Sequence, residues 1–158
     1  FAALWQNNLP VTVICEPDKA ACLYKTAAAN DGTQHKVTGR MNSMMAGLCC
    51  GEPCTISWDI INNFANAFIA CSDDYAASGM RLLGMPQSGG DARIVSGESG
   101  AVTAGVLAAL MQDPELAQLR NELGLDENSR VLLISTEGAT DKVNYLKVLS
   151  GKWKPENK

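Results

Sequence analysis

The chain has 158 residues, enough for one domain with a sizeable core, and hydrophobic residues make up 46% of it. Its net charge is −4 and it carries no cluster of lysines and arginines, which argues against nucleic-acid binding, since that requires a basic face. No uncharged apolar stretch is long enough to span a membrane.

Strand and helix signals alternate along the chain. We predict four strands, at 9–15, 67–71, 92–95 and 131–134. The first two of the predicted helices are a helix at 19–29 capped by Asp18 and a helix at 41–48, and a third follows at 55–63. The later helices are one at 75–83 begun by Asp73 and Asp74, one at 98–111, one from Pro114 to Leu123 and one near 141–149. The strands are uniformly apolar rather than alternating, which is typical of a parallel sheet covered on both faces. The pattern predicts an α/β fold, a three-layer sandwich with a mostly parallel sheet of about four strands.

The two ends of the chain differ in character. The first five residues, Phe1-Ala2-Ala3-Leu4-Trp5, are typical of the last turns of a helix and include no initiator methionine. We therefore expect the chain to be the remainder of a longer polypeptide. Residues 152–158 form a polar tail.

Six cysteines raise the question of a metal site or disulfides. They are Cys15, Cys22, Cys49, Cys50, Cys54 and Cys71. No CxxC pair occurs, and the single histidine, His35, lies in a polar stretch away from the cysteine cluster. The two spaced pairs that a tetrahedral zinc site needs are missing. Small buried thiols in a reduced cytosolic core are the preferred interpretation.

Hydroxyl-rich turns follow the last two predicted strands. One is Ser96-Gly97-Glu98-Ser99-Gly100-Ala101, and the other is Ser135-Thr136-Glu137-Gly138. Ligands of parallel α/β sheets bind at the carboxyl ends of the strands, so the two turns are predicted to converge on one ligand. The first turn also opens a helix, whose N-terminus suits an anion or a polar ring. Two ordinary polar turns with an N-cap serine remain the alternative.

Other catalytic patterns are excluded. A nucleophile elbow needs glycine where Ala101 stands and a histidine later in the chain, which is missing. Neither the GxxxxGK[ST] phosphate loop nor GxGxxG is present. The glutamates at the ends of elements occur singly, as caps and turn residues do.

Several blocks together resemble one enzyme family. In order they are Val13-Ile14-Cys15-Glu16-Pro17, Met45-Ala46-Gly47-Leu48, Cys50-Gly51-Glu52-Pro53, the turn at 96–101, and Ile134-Ser135-Thr136-Glu137-Gly138-Ala139-Thr140-Asp141. They resemble the C-terminal part of the diaminopropionate ammonia-lyases, which are fold-type II (tryptophan synthase β-like) enzymes dependent on pyridoxal 5'-phosphate (PLP). The resemblance covers nearly the whole chain. Threonine deaminases and cysteine synthases share its broader plan.

The resemblance implies an activity and a set of cofactor-binding residues. The activity is elimination of both amino groups of 2,3-diaminopropionate to give pyruvate and ammonia. Thr136, with Ser135 as the alternative, would face the pyridine nitrogen of PLP. Ser99, Gly100 and Ala101, with Glu98, would line the same end of the ring, and Ala46, Gly47 and Leu48 would form a wall beside it.

The resemblance also implies that other catalytic groups of the family lie outside the matched region. The family's Schiff-base lysine, catalytic acids and phosphate loop precede the matched region, so residues 1–151 are expected to be the C-terminal portion of the PLP-binding domain and inactive alone. A small amino-acid substrate, a cytoplasmic location and a homodimer of the full-length protein follow. Another PLP-dependent β-eliminating enzyme, such as a serine or threonine deaminase, and a non-catalytic α/β module remain alternatives. Cys22 and Cys50 belong to blocks near this site, although free thiols are preferred over a disulfide.

Overall fold

The structure, a computed structural model, describes residues 8–155. It contains two strands, β1 (Val13–Pro17) and β2 (Ala67–Cys71), and six α-helices, α1 (Cys22–Ala29), α2 (Thr55–Phe64), α3 (Asp73–Gly84), α4 (Glu98–Gln112), α5 (Ala117–Glu122) and α6 (Lys142–Leu149). Three 3₁₀ turns lie at Asp18–Ala20, Ala46–Leu48 and Pro114–Leu116. The helix end predicted at residues 1–5 and the last three residues of the tail lie outside the described residues.

The described sheet is parallel, and this confirms the predicted α/β class. β1 pairs with β2 from Val13 opposite Ala67 to Pro17 opposite Cys71. Asn66 begins this register, because its side-chain oxygen accepts a hydrogen bond of 2.8 Å from the backbone N–H of Thr12. The two strands therefore end side by side at the edge where α/β folds place their ligands.

Two of the four predicted strands are wrong for the described part of the chain. Residues 92–95 and 131–134 form no strand there, and the sheet has two strands instead of four. Their side chains stay open to solvent, with Leu132 69% and Ile134 57% exposed. An apolar, β-branched run becomes a strand only where a neighbour accepts its hydrogen bonds and covers its side chains.

The predicted helix at 41–48 is also wrong, since only the 3₁₀ turn Ala46–Leu48 forms there. Ser43 explains the difference. Its hydroxyl accepts from the backbone N–H of Met45 at 3.1 Å and donates to the Asp73 carboxylate. Serine side chains that bond nearby backbone groups in this way compete with helix formation.

Glu16 caps α1, where Asp18 was predicted to do so. Its carboxylate accepts from the backbone N–H groups of Leu23 at 3.0 Å and Tyr24 at 2.7 Å. Asp18 instead lies inside the first 3₁₀ turn and makes no capping bond. A carboxylate at a helix N-terminus satisfies otherwise unpaired donors and is favoured by the helix dipole.

α3 and α4 cross with their backbones in direct contact. A Cβ built on Gly79 would lie 2.0 Å from the carbonyl oxygen of Ala101, and one on Gly105 would lie 1.9 Å from that of Tyr75. Only glycine permits this approach. Around the crossing lie the buried side chains of the core, Met45, Cys71, Ala76, Ala77, Met80, Ala101, Val102, Val106, Leu110, Tyr145 and Val148. The crossing holds the first turn of α4 in a fixed position.

All six cysteines are free thiols. Burial raises the pKa of Cys15 and that of Cys22 to about 11, and the carboxylate of Glu16 adds to the effect at Cys22. Burial likewise raises the pKa of Cys71 to about 12. Within residues 8–155, no cluster of three metal-binding side chains is found, and no helix has the length and hydropathy required to cross a membrane.

Candidate functional site

The two hydroxyl-rich turns meet, as predicted, although the segments before them, 92–95 and 131–134, form no strands in the described part of the chain. Ser96 Oγ and Ser135 Oγ are 2.7 Å apart and share a hydrogen bond. The backbone N–H of Gly97 donates to the carbonyl oxygen of Glu137 at 3.1 Å, and that of Ser99 donates to the Glu137 carboxylate. We call Ser96, Ser99, Ser135 and Glu137 the hydroxyl cluster.

Two glycines allow the turns to pack this closely. A Cβ on Gly100 would lie 2.8 Å from Ser96 Oγ and 2.9 Å from Ser135 Oγ. A Cβ on Gly97 would lie only 2.4 Å from the carbonyl oxygen of Gly138. The glycines of the first turn therefore serve the contact between the turns, and Gly100 occupies a place where no side chain fits.

A third segment, the 3₁₀ turn Ala46–Leu48, also reaches the cluster. The backbone N–H of Gly47 donates to Ser99 Oγ at 3.1 Å. Ala46 and Gly47 are exposed, whereas Ser99 is buried beneath them. The predicted wall and the predicted serine are thus in direct contact, although 52 positions separate Gly47 from Ser99 in sequence.

The second turn presents two hydroxyls with different surroundings. Ser135 is engaged, because its Oγ bonds Ser96 Oγ and lies 3.3 Å from the carbonyl oxygen of Glu137, to which it donates. Thr136 is exposed, and its hydroxyl forms no hydrogen bond with any residue in the described part of the chain. Ser135 therefore ties the turns together, and Thr136 has a donor available for a ligand.

Glu98 has a neighbour that the sequence did not reveal. It is the first residue of α4, only 6% exposed, and its carboxylate accepts a hydrogen bond of 2.6 Å from the Asn144 side chain of α6. This bond joins the start of α4 to α6. Asn144 carries no sequence signal beyond its place after Asp141, which caps α6.

The donors at this site are neutral hydroxyls and backbone amides. Such groups suit the edge of an uncharged heteroaromatic ring, because they donate without forcing a proton onto a ring nitrogen. Thr136, exposed and with an unengaged hydroxyl, is the member of the second turn that has a donor open to such a ring. This donor chemistry is compatible with the PLP ring that the resemblance implies.

Comparison with known proteins gives one consistent relationship. A diaminopropionate ammonia-lyase of Salmonella typhimurium is 47% identical over 145 residues, which are 92% of this chain and 36% of that protein. The chain also matches solved structures of the Escherichia coli diaminopropionate ammonia-lyase. The complex with D-serine has a TM-score of 0.78 at 45% identity, covering 90% of this chain and 34% of that one. The complex with an aminoacrylate-PLP azomethine reaction intermediate has a TM-score of 0.77 at 47% identity, covering 89% and 34%.

No protein-family model matches the chain. The chain spans about a third of the length of the curated relatives it matches. Over that third, the resemblance to diaminopropionate ammonia-lyase and the predicted α/β fold with a parallel sheet are confirmed.

Proposed function

We propose that this chain is the C-terminal portion of the PLP-binding large domain of a fold-type II enzyme that converts 2,3-diaminopropionate to pyruvate and ammonia. The observation that carries the proposal is the meeting of Ser96, Ser99 and Ser135 beside the open Thr136 hydroxyl. It occurs in a chain that is 47% identical to a diaminopropionate ammonia-lyase over nearly its whole length. In this proposal, residues 1–151 are the domain portion and the rest is a polar tail.

The hydroxyl cluster and its neighbours Thr136 and Glu98 have separate roles at the ring. When bound, PLP supplies an electron sink for the carbanion formed at the substrate α-carbon. Thr136 would donate a hydrogen bond to the pyridine nitrogen and keep its proton, so that the nitrogen would stay uncharged. Ser135 holds the turn in place through Ser96, and Ser99 holds the wall at Gly47. Glu98 anchors the start of α4 through Asn144.

The remaining catalytic groups belong to the other two thirds of such an enzyme. In the proposal, the Schiff-base lysine, the catalytic acids and the phosphate loop come from that part, so the chain alone is inactive. The exposed apolar segments at 92–95 and 131–134 support this, because they lack strand partners within residues 8–155. A cytoplasmic homodimer is the proposed state of the full-length enzyme.

A chimera tests the proposal. The matched third of the Escherichia coli enzyme is replaced by this chain, and PLP absorbance, pyruvate and ammonia are measured. We expect the chimera to bind PLP and to prefer 2,3-diaminopropionate over serine and threonine, while the chain alone releases no ammonia. A folded chimera that binds no PLP would refute the proposal and favour a non-catalytic module.

A second candidate is another PLP-dependent β-eliminating enzyme. The structure with D-serine, which matches this chain over 90% of its length, shows that a relative accommodates a hydroxyl-bearing amino acid. Preference of the chimera for serine or threonine would select this candidate over the first.

A further inference from the structure

Asp73 is a buried carboxylate that serves three donors from two other segments. It is the first residue of α3 and only 7% exposed. Its Oδ1 accepts from the Ser43 hydroxyl and, at 3.2 Å, from the backbone N–H of Met44. Its Oδ2 lies 3.5 Å from the ammonium nitrogen of Lys19, which follows β1.

The start of α3 does not require that the Asp73 carboxylate be buried. Asp74, the next residue, is exposed, and it too places a negative charge in the first turn of α3, where the helix dipole favours it. A buried carboxylate is costly unless donors and an opposite charge compensate it. The three donors to Asp73 supply that compensation, and two of them belong to the segment at 43–48.

That segment leads directly to the hydroxyl cluster. The Ser43 hydroxyl, held by Asp73, accepts from the backbone N–H of Met45. Met45 is fully buried in the core and immediately precedes the 3₁₀ turn. Two residues later, Gly47 donates to Ser99 Oγ. A continuous path of short contacts thus joins Asp73 to Ser99.

We propose that Asp73 is the positioning residue of the candidate site: it fixes residues 43–48 so that Gly47 stays against Ser99. The description of Ala46–Leu48, the end of this segment, as a wall of the PLP site rests on the function proposed above. The coupling of Asp73 to Gly47 does not, because every contact in it lies within this chain.

Hydrogen exchange of the 158-residue chain, measured without cofactor, tests the coupling. The probe is the backbone amide of Gly47, and S99A, which removes its acceptor, sets the reference for a released amide. We expect D73A and S43A to raise Gly47 exchange about tenfold, toward the S99A value, while amides in the middle of α4 stay protected. D74A, at the exposed neighbour, is the matched control and leaves Gly47 unchanged.

Two results would overturn the coupling. One is unchanged Gly47 exchange in both D73A and S43A. The other is exchange that rises equally at Gly47 and in the middle of α4, which would mean general loosening. S43A keeps the buried Asp73 carboxylate and its pairing with Lys19. It therefore tests the coupling of Asp73 to Gly47 even if D73A unfolds.

The chimera separates the coupling from the proposed function. There, D73A is expected to speed PLP release about tenfold, and D74A is expected to leave it unchanged. Unchanged release together with faster Gly47 exchange would overturn the role of Ala46–Leu48 as a wall of the PLP site. A chimera that binds no PLP would refute the proposed function, and the exchange experiment would still decide the coupling.

Discussion

Replacing Gly79 with alanine should destabilise the chain, although alanine is the better helix former. The new Cβ would lie 2.0 Å from the carbonyl oxygen of Ala101 and 2.8 Å from the backbone nitrogen of Gly105. Ordinary contact begins at 3.4 Å, so α3 and α4 must separate by about 1.4 Å at this point. Both obstacles are backbone atoms inside a helix, which no change of side-chain rotamer can move aside.

Two opposing free energies decide the result. Helix propensity favours alanine over glycine by about 1 kcal/mol. Overpacking a fitted contact costs about 1–3 kcal/mol, and a gap of about 1 Å already forfeits up to half of each van der Waals contact it opens. Because the required separation exceeds 1 Å and the obstacle is rigid, we take the upper end of that range. The expected net loss in the free energy of unfolding is about 2 kcal/mol.

Urea unfolding followed by circular dichroism measures this loss. With a slope of about 2 kcal/mol per molar urea, the midpoint of G79A should fall by about 1 M. The matched control is S78A, one position earlier in α3 and exposed, which should change stability by no more than a few tenths of a kcal/mol. A G79A midpoint equal to or above that of the unchanged chain would refute the close crossing of α3 and α4.

Three further predictions concern the cofactor and the thiols. T136V in the chimera should weaken PLP binding about ten- to a hundredfold and S135A much less, measured by PLP titration; the reverse order would move the ring contact to Ser135. Hydrogen bonds from Ser57 lower the pKa of the exposed Cys54 thiol, so iodoacetamide should modify Cys54 at neutral pH faster than in S57A, and equal rates would contradict this. Burial raises the pKa of Cys71 from 9.0 to about 12, so its contribution to stability is full below pH 9.0 and is lost as the pH rises toward 12. Urea unfolding of C71A should therefore show a smaller loss of stability between about pH 9 and 11, and an equal loss would contradict it.

Local signals predicted most helices and the described sheet. The acidic start of α3, Pro114 in the first turn after Asp113, and Gly124 with its positive φ of 63° all act within a few residues of the element they bound. The parallel β1–β2 pair followed from two uniformly apolar runs joined by helices. Such features are encoded locally, so a single sequence reveals them.

Features that depend on distant partners were missed. Residues 131–134 have the composition of a strand, yet a strand also needs a neighbour, which composition does not specify. The carboxylate of Glu16 reaches forward to Leu23 and Tyr24, and a pattern of adjacent residues favours Asp18 instead. The meeting of the two turns in the hydroxyl cluster was predicted, because both turns follow apolar runs. The sequence did not predict that Ser135 is hydrogen-bonded to Ser96 while the Thr136 hydroxyl forms no hydrogen bond within the described residues.

The exposed apolar segments have a consequence for the solubility of the chain. Among the described residues, 131–134 make no backbone hydrogen bond to another backbone group, and their side chains face solvent. An extended apolar segment with unpaired backbone groups can pair with a second molecule. Electrostatic repulsion between copies of the chain opposes that pairing. The chain has a net charge of only −4 and a pI near 4.9, so repulsion vanishes on mild acidification. Self-association should therefore be strongest near pH 5, and handling the chain well above that pH preserves single molecules.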